Sequence, residues 1–115
     1  MKAGRVPHKK VRIYGREFDS IAEAKRFVEL WTQQKNGEIS DLVCQPKFDL
    51  LPVAKIPHEK ALRAHSYKAD FQYVKDGKTI VEDVKSDYTR KDREYIINRK
   101  LMWYLKKIYV REVIR

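Results

Sequence analysis

Cysteine is almost absent from this 115-residue sequence. Cys44 stands alone, so no internal disulfide can form and the cytoplasm is the expected compartment. No apolar run approaches the length that spans a bilayer, so no membrane partner is expected. The opening "MKAGRVPHKK" lacks the apolar segment of a signal peptide and reads as a basic arm over residues 1–10. His8, His58 and His65 lack close metal-ligand spacing, which argues against zinc. There are no internal repeats, no linker and no low-complexity tract, so residues 1–115 read as one domain. Acids are also scarce: 16 against 26 Lys and Arg give a formal charge of +10. Such a surplus suits a polyanion, either nucleic acid or an acidic membrane surface; the plainer alternative is a merely soluble basic domain.

What is present alternates between two periodicities. "KVRIYGREF" places two short alternating pieces around Gly15 and predicts a hairpin. Ser20 then starts a helix whose apolar face is Ile21, Ala24, Phe27, Val28 and Trp31, with Gly37 as its stop. "ISDLVCQPKFDLLP" is extended, with one strand expected over residues 47–51, followed by a basic loop over residues 52–66. Strands over residues 66–74 and 79–85 flank Asp76-Gly77, a strong hairpin signal. A second helix over residues 90–107 is marked by Ile97, Leu101, Tyr104, Leu105 and Ile108, and "IYVREVI" supplies a last strand. The order αβββαβ behind a small hairpin predicts an α/β fold with a central mixed sheet flanked by helices.

The two strands around Asp76-Gly77 each carry an acid where apolar residues belong. Residues two apart share a face of a strand, so Asp83 and Lys85 project together while Glu82 and Val84 face away. Counting outward from the turn brings Asp70 near Asp83, within a residue of register. Two converging carboxylates resist joint ionisation unless a cation shares their site, and Mg²⁺ favours carboxylate, water and phosphate oxygens. A neighbouring lysine can orient or deprotonate water, or stabilise charge growing on a phosphoryl group. A structural salt bridge is the competing reading of Asp83 and Lys85. Glu23 has two readings as well: Ser20-Ile-Ala-Glu23 is a capping box, and the same carboxylate can point toward a metal.

Together, "FDSIAEAKRFVEL", "GEISDLVCQPKFDLL", "YKADFQYV" and "VEDVKS" resemble the PD-(D/E)xK, or restriction-endonuclease-like, nuclease superfamily. More closely, they resemble a family of small phage-encoded proteins long labelled a domain of unknown function and assigned to that superfamily. The likeness runs from Val11 onward and implies the αβββαβ core. It implies Asp70 and Asp83 as metal ligands, the Val84 carbonyl as a further ligand and Lys85 as the motif lysine. Glu23 matches a helix acid beside the metal. Gln45 resembles a polar active-site position, with a strand-edge role as its alternative. Ala69 stands where the motif's nominal proline would be.

The resemblance implies a DNA endonuclease that uses Mg²⁺ or Mn²⁺ to hydrolyse phosphodiester bonds. Phosphate contacts position without specifying sequence, and no base-reading module is visible. The expected enzyme is therefore structure-directed, cutting branched or Holliday junctions, or a nicking enzyme, in phage DNA recombination or replication. Lys9, Lys10, Arg12, Lys55, Lys60, Arg63, Arg90, Lys91 and Arg93 are candidate phosphate contacts, each with a solvated-surface alternative. Two cuts need two sites, so a homodimer is expected, with Trp103 and Tyr104 either at its interface or in ordinary core. The other classes are a non-catalytic nucleic-acid-binding protein and a subunit active only in a larger nuclease or transposase complex.

Overall fold

The hairpin turns set the register of everything that follows. The computed structural model describes residues 10–115, and of the proposed arm residues 1–9, Lys9 among them, lie outside the described residues. Strands β1 (Val11–Ile13) and β2 (Arg16–Phe18) pair antiparallel across Tyr14-Gly15, both at positive φ. Two consecutive left-handed residues make the turn whose twist matches the strands.

Ser20 Oγ accepts a hydrogen bond from the Glu23 N–H at 3.1 Å and starts α1 (Ile21–Lys35). The buried stripe of α1 is Glu23, Ala24, Phe27 and Leu30, and Ile21 is 55% exposed. The expected face was therefore rotated. An acid occupies one of the inward positions, so a count of apolar residues alone drew Ile21 in and left Leu30 out.

The central sheet has the order β3-β6-β7-β8, from β3 (Ser40–Cys44), β6 (Phe71–Lys75), β7 (Lys78–Lys85) and β8 (Val110–Ile114). The first two pairings are antiparallel and β7–β8 is parallel. A parallel neighbour needs a crossover, which α2 (Arg93–Lys106) supplies. One core layer joins α1 to the sheet through Phe18, Phe27, Leu30, Phe71 and Tyr73. The other joins α2 to the opposite face through Tyr67, Val81, Tyr95, Met102 and Val110.

Three expectations change. Residues 47–51 do form a strand, β4 (Lys47–Leu51), but it pairs with β5 (His65–Lys68) in a separate two-stranded sheet, and β3 takes its place in the central one. The strand expected over residues 66–74 breaks at Ala69 and Asp70 into β5 and β6. The ladder nonetheless continues through the break, since the Gln45 N–H donates to the Asp70 carbonyl at 2.8 Å and the Ala69 N–H to the Pro46 carbonyl at 3.0 Å. Thus β4 and β5 form an arm bent off β3 and β6, and the loop beyond is closed by an Ala54–Leu62 bridge. With that arm set aside, the order is αβββαβ as expected.

The third change concerns α2, which starts at Arg93 after a 3-10 turn over Thr89–Lys91 and the cap Asp92, whose carboxylate accepts from the Tyr95 N–H at 3.1 Å. Its buried residues are Tyr95, Asn98 and Met102, while Ile97, Tyr104 and Leu105 are half or more exposed. Trp103 and Tyr104 are not core, at 49% and 71% exposed. The inward face holds groups that bring polar partners with them: Tyr95 donates to Glu112 at 2.9 Å, and Asn98 pairs with His65 at 2.6 Å. A search for apolar periodicity passes over such a face.

Candidate active site

Asp76-Gly77 sets the β6–β7 register with Phe71 opposite Glu82, which brings Asp70 level with Asp83. The two acids bind each other's strands. The Asp70 N–H donates to Asp83 Oδ1 at 2.8 Å, and the Val84 N–H donates to Asp70 Oδ2 at 2.8 Å. The break between β5 and β6 follows from this, because the Asp70 N–H is taken by a side chain rather than by the ladder. Asp83 also accepts from the Tyr67 hydroxyl. Lys85 Nζ lies 4.0 Å from Asp83 Oδ2 and 4.3 Å from the centre of the Tyr95 ring, so a carboxylate and an aromatic face hold one ammonium.

Glu23 reaches the cluster from α1 and is 4% exposed. The Gln45 amide stands 3.5 Å from its Oε1. Gln45 follows β3 at φ 55, a left-handed conformation uncommon outside glycine, and so sits at the bend beside Asp70 rather than within a strand. Of the capping box, the Ser20 half is formed; the Glu23 carboxylate lies among Asp19, Gln45 and Asp70.

The electrostatics are those of a site crowded with negative charge. Burial, then the charges of Asp83 and Glu23, push the Asp70 carboxyl up to about 9. Burial raises Asp83 against the opposing pull of the Tyr67 hydroxyl and Lys85. Glu23 is raised, again chiefly by burial. Two buried carboxyl groups whose charges oppose ionisation of a third, half-buried one between them are suited to a shared cation.

Two cavities open onto the acids. One of about 320 Å³ is lined by Glu23, Asp70, Val84, Lys85, Thr89 and Arg115. The other, of about 280 Å³, is lined by Tyr67, Lys68, Asp70, Asp83, Lys85 and Tyr95. Asp70 and Lys85 border both. A larger cavity of about 560 Å³ lies at the far end of β7 and touches none of the acids of the cluster.

Oxygen donors from Glu23, Asp70 and Asp83 suit Mg²⁺ or Mn²⁺ in chemistry. Among the described residues no three acid, histidine or cysteine side chains stand together in ligating geometry. The fit is therefore one of donor type, with Asp83 engaged by Tyr67 and the Asp70 N–H.

None of the proposed phosphate-binding residues within the described chain lines either cavity. Lys10 pairs with Glu17 at 3.4 Å, and Arg90 pairs with Glu112 at 3.2 Å. Arg12, Lys55, Lys60, Arg63, Lys91 and Arg93 are exposed elsewhere. The cations beside the acids are instead Lys85, Lys68 and Arg115. Arg115 is placed by its N–H, which donates to the Lys85 carbonyl at 2.9 Å, and by a two-pronged contact with Glu29 at 2.6 and 2.7 Å.

The sequence reading also passed over Glu82 and Arg26. Glu82 is fully buried on the α1 side of β7, with Arg26 Nε and Nη2 at 2.7 and 3.1 Å and the Tyr73 hydroxyl at 2.8 Å. Burial of Val81, Glu82 and Asp83 in succession marks a central strand covered on both faces. An arginine at the same helix face as Glu23, three residues on, was the available signal.

A search of curated proteins gave no match. A family profile described as "Protein of unknown function (DUF1064)" matches residues 5–113, nearly the whole chain, and the protein belongs to that family.

Proposed function

We propose that the protein is a divalent-metal-dependent DNA endonuclease of the PD-(D/E)xK type. The observation that carries this reading is the convergence of Glu23, Asp70 and Asp83 with Lys85, where Asp70 is pushed up to about 9 by burial and its neighbours' charge. A salt bridge alone would not need a second and third acid beside it. The αβββαβ order and the net charge of +10 support the same reading.

Glu23, Asp70 and Asp83 would hold Mg²⁺ or Mn²⁺. When bound, the cation supplies positive charge for phosphoryl oxygens and makes a water more acidic. Lys85, fixed between Asp83 and the Tyr95 ring, donates to a phosphoryl oxygen or to the attacking water. Gln45 restrains the Glu23 carboxylate. Arg115, held near Lys85 with both terminal nitrogens on Glu29, adds positive charge beside a flanking phosphate. Hydrolysis forms one P–O bond to the water oxygen and breaks another, leaving a hydroxyl and a phosphate monoester. Branched DNA such as a Holliday junction is the proposed substrate, with nicking of one strand as the other mode of cutting. Two copies would provide the two sites that paired cuts need, with the exposed face of α2 around Ile97, Trp103 and Tyr104 available for their contact.

The test is a panel of linear, nicked, forked and four-way DNA incubated with Mg²⁺, Mn²⁺ or EDTA, alongside Mn²⁺ calorimetry on wild type and Asp83→Asn. Metal-dependent cleavage with Mn²⁺ binding lost in Asp83→Asn is the expected result. Undiminished cleavage in chelator, or no cleavage of any member with either metal, overturns the reading.

A further inference from the structure

The far end of β7 carries a second concentration of unspent charge. The 560 Å³ groove there is bordered by Lys75, Lys78, Lys107 and Arg111 against the single acid Asp76, with Ile80 and Ile108 as apolar lining and Tyr109 beside them. Among the described residues none of these four cations is in an ion pair, whereas Lys10, Arg26, Lys85, Arg90, Arg99 and Arg115 all are. Lys75 and Lys78 are direct cross-strand partners, a like-charge placement that weakens the hairpin carrying it. Lys107 ends α2 at φ 56, where glycine or asparagine is usual. Lys107 does rest over the Trp103 ring at 5.4 Å, but among the described residues no carboxylate is paired with any of the four. A bound polyanion would supply the missing charge.

The aromatic edge narrows the ligand further. Tyr109 is 67% exposed, and the Arg99 guanidinium covers its ring at 5.0 Å from the centroid. A ring backed on one side by a cation and open on the other is a stacking platform. A flat apolar group joined to anionic groups describes a nucleotide with its base unstacked. The bases of a duplex are buried against one another, so the match is to a single strand. Four residues of β7 separate Thr79 from Asp83, about 13 Å at 3.3 Å per residue, so a strand of a few nucleotides spans the interval.

We infer that this groove binds a single-stranded segment of nucleic acid, stacking a base on Tyr109 and holding its phosphates with Lys75, Lys78, Lys107 and Arg111. The inference rests on the nucleic-acid part of the function proposed above and is independent of its chemistry. Anchoring a strand here leaves the acids at the other end of β7 free for a second part of the same molecule, as a branched or gapped substrate requires.

The test is fluorescence anisotropy of a short labelled oligothymidine across a salt series in EDTA. Lys78→Gln combined with Lys107→Asn removes two phosphate contacts, with asparagine suited to the left-handed backbone. The slope of log affinity against log salt is expected to fall by about 1.4. Tyr109→Ala is expected to weaken binding roughly tenfold at unchanged slope, and Tyr109→Phe to restore it. Melting curves establish that each variant folds. A duplex of the same length and polyglutamate serve as competitors, and neither is expected to respond to Tyr109→Ala. Unchanged affinity in the Tyr109→Ala and double variants overturns the inference. Equal losses for duplex or polyglutamate overturn it too, in favour of a general anionic surface. Because no metal is present, failed cleavage in the nuclease panel leaves this result standing, and failure here leaves that panel standing.

Discussion

Glu82 and Asp83 are neighbours on β7, both buried, and they face opposite layers of the molecule. On the α1 side Glu82 meets a forked guanidinium and a hydroxyl, and each of its oxygens is matched to a donor. On the α2 side Asp83 meets a hydroxyl, a backbone N–H and a lysine at 4.0 Å, but also another carboxyl group. The first arrangement is self-sufficient. The second leaves negative charge only partly balanced at a place reached by solvent cavities. Burial alone therefore does not separate the two acids; what separates them is whether the fold supplies the full counter-charge.

The largest expected effect breaks the comparison on the Asp83 side. Asp83→Asn should lower Mg²⁺-dependent cleavage by several orders of magnitude while DNA affinity in EDTA holds or rises. Its melting temperature should stay within about 5 °C of wild type, corresponding to about 1 kcal/mol in a domain of this size. An active variant that melts early would restore the salt-bridge reading of Asp83 and Lys85.

On the Glu82 side the expectation is reversed. Arg26→Ala strands a fully buried carboxylate and should cost about 3–5 kcal/mol, read as a drop in urea midpoint. Any remaining folded protein should bind Mn²⁺ as wild type does. Glu82→Gln is milder, because an amide still accepts from Arg26 and Tyr73; a loss of about 2 kcal/mol is expected. A loss of metal binding in either variant, measured where the protein is folded, would erase the distinction between the two faces.

The smallest effect lies at the surface end of the same arginine network. Glu29 is contacted by Arg115 and Arg26, in that order of effect, and its carboxyl is lowered from 4.5 to about 2. A carboxyl depressed in the folded state stabilises it above the unfolded value, and that contribution disappears as pH falls from about 4.5 toward 2. Glu29 is well exposed, so the pair is worth about 0.5 kcal/mol. Arg115→Ala should flatten the acid limb of a pH–melting profile slightly and leave the neutral region almost unchanged. A shift as large as that of Arg26→Ala would place Arg115 in the core network instead of at its edge.

What could be read from the sequence followed from local rules. Asp76-Gly77 fixes a two-residue turn, the turn fixes the register, and the register puts Asp70 opposite Asp83 with Lys85 alongside. No information from distant parts of the chain is needed. Arg26 and Glu82 stand 56 positions apart and meet only because α1 docks on that face of the sheet, which no periodicity encodes. Arg115 reaches the site through the parallel β8, placed by a crossover whose docking is equally nonlocal. The inward faces of both helices were misjudged for one reason: Glu23, Tyr95 and Asn98 look like surface residues until their partners are known. The acids of the site and Lys85 were legible, while Lys68 and Arg115 were not.

The bend between β5 and β6 has a mechanical consequence. The arm formed by β4 and β5 is tied through the break by the bonds from Gln45 to Asp70 and from Ala69 to Pro46, so the two sheets share one uninterrupted ribbon. A ribbon stiff on both sides of a single crease behaves as a lever, and the crease is its fulcrum. Lys55, Lys60 and Arg63 sit on the long end. Asp70 and Gln45 sit at the pivot, so bending of the arm would turn the Asp70 carboxylate and the amide that faces Glu23. A load on the arm would thus be felt first at the candidate site.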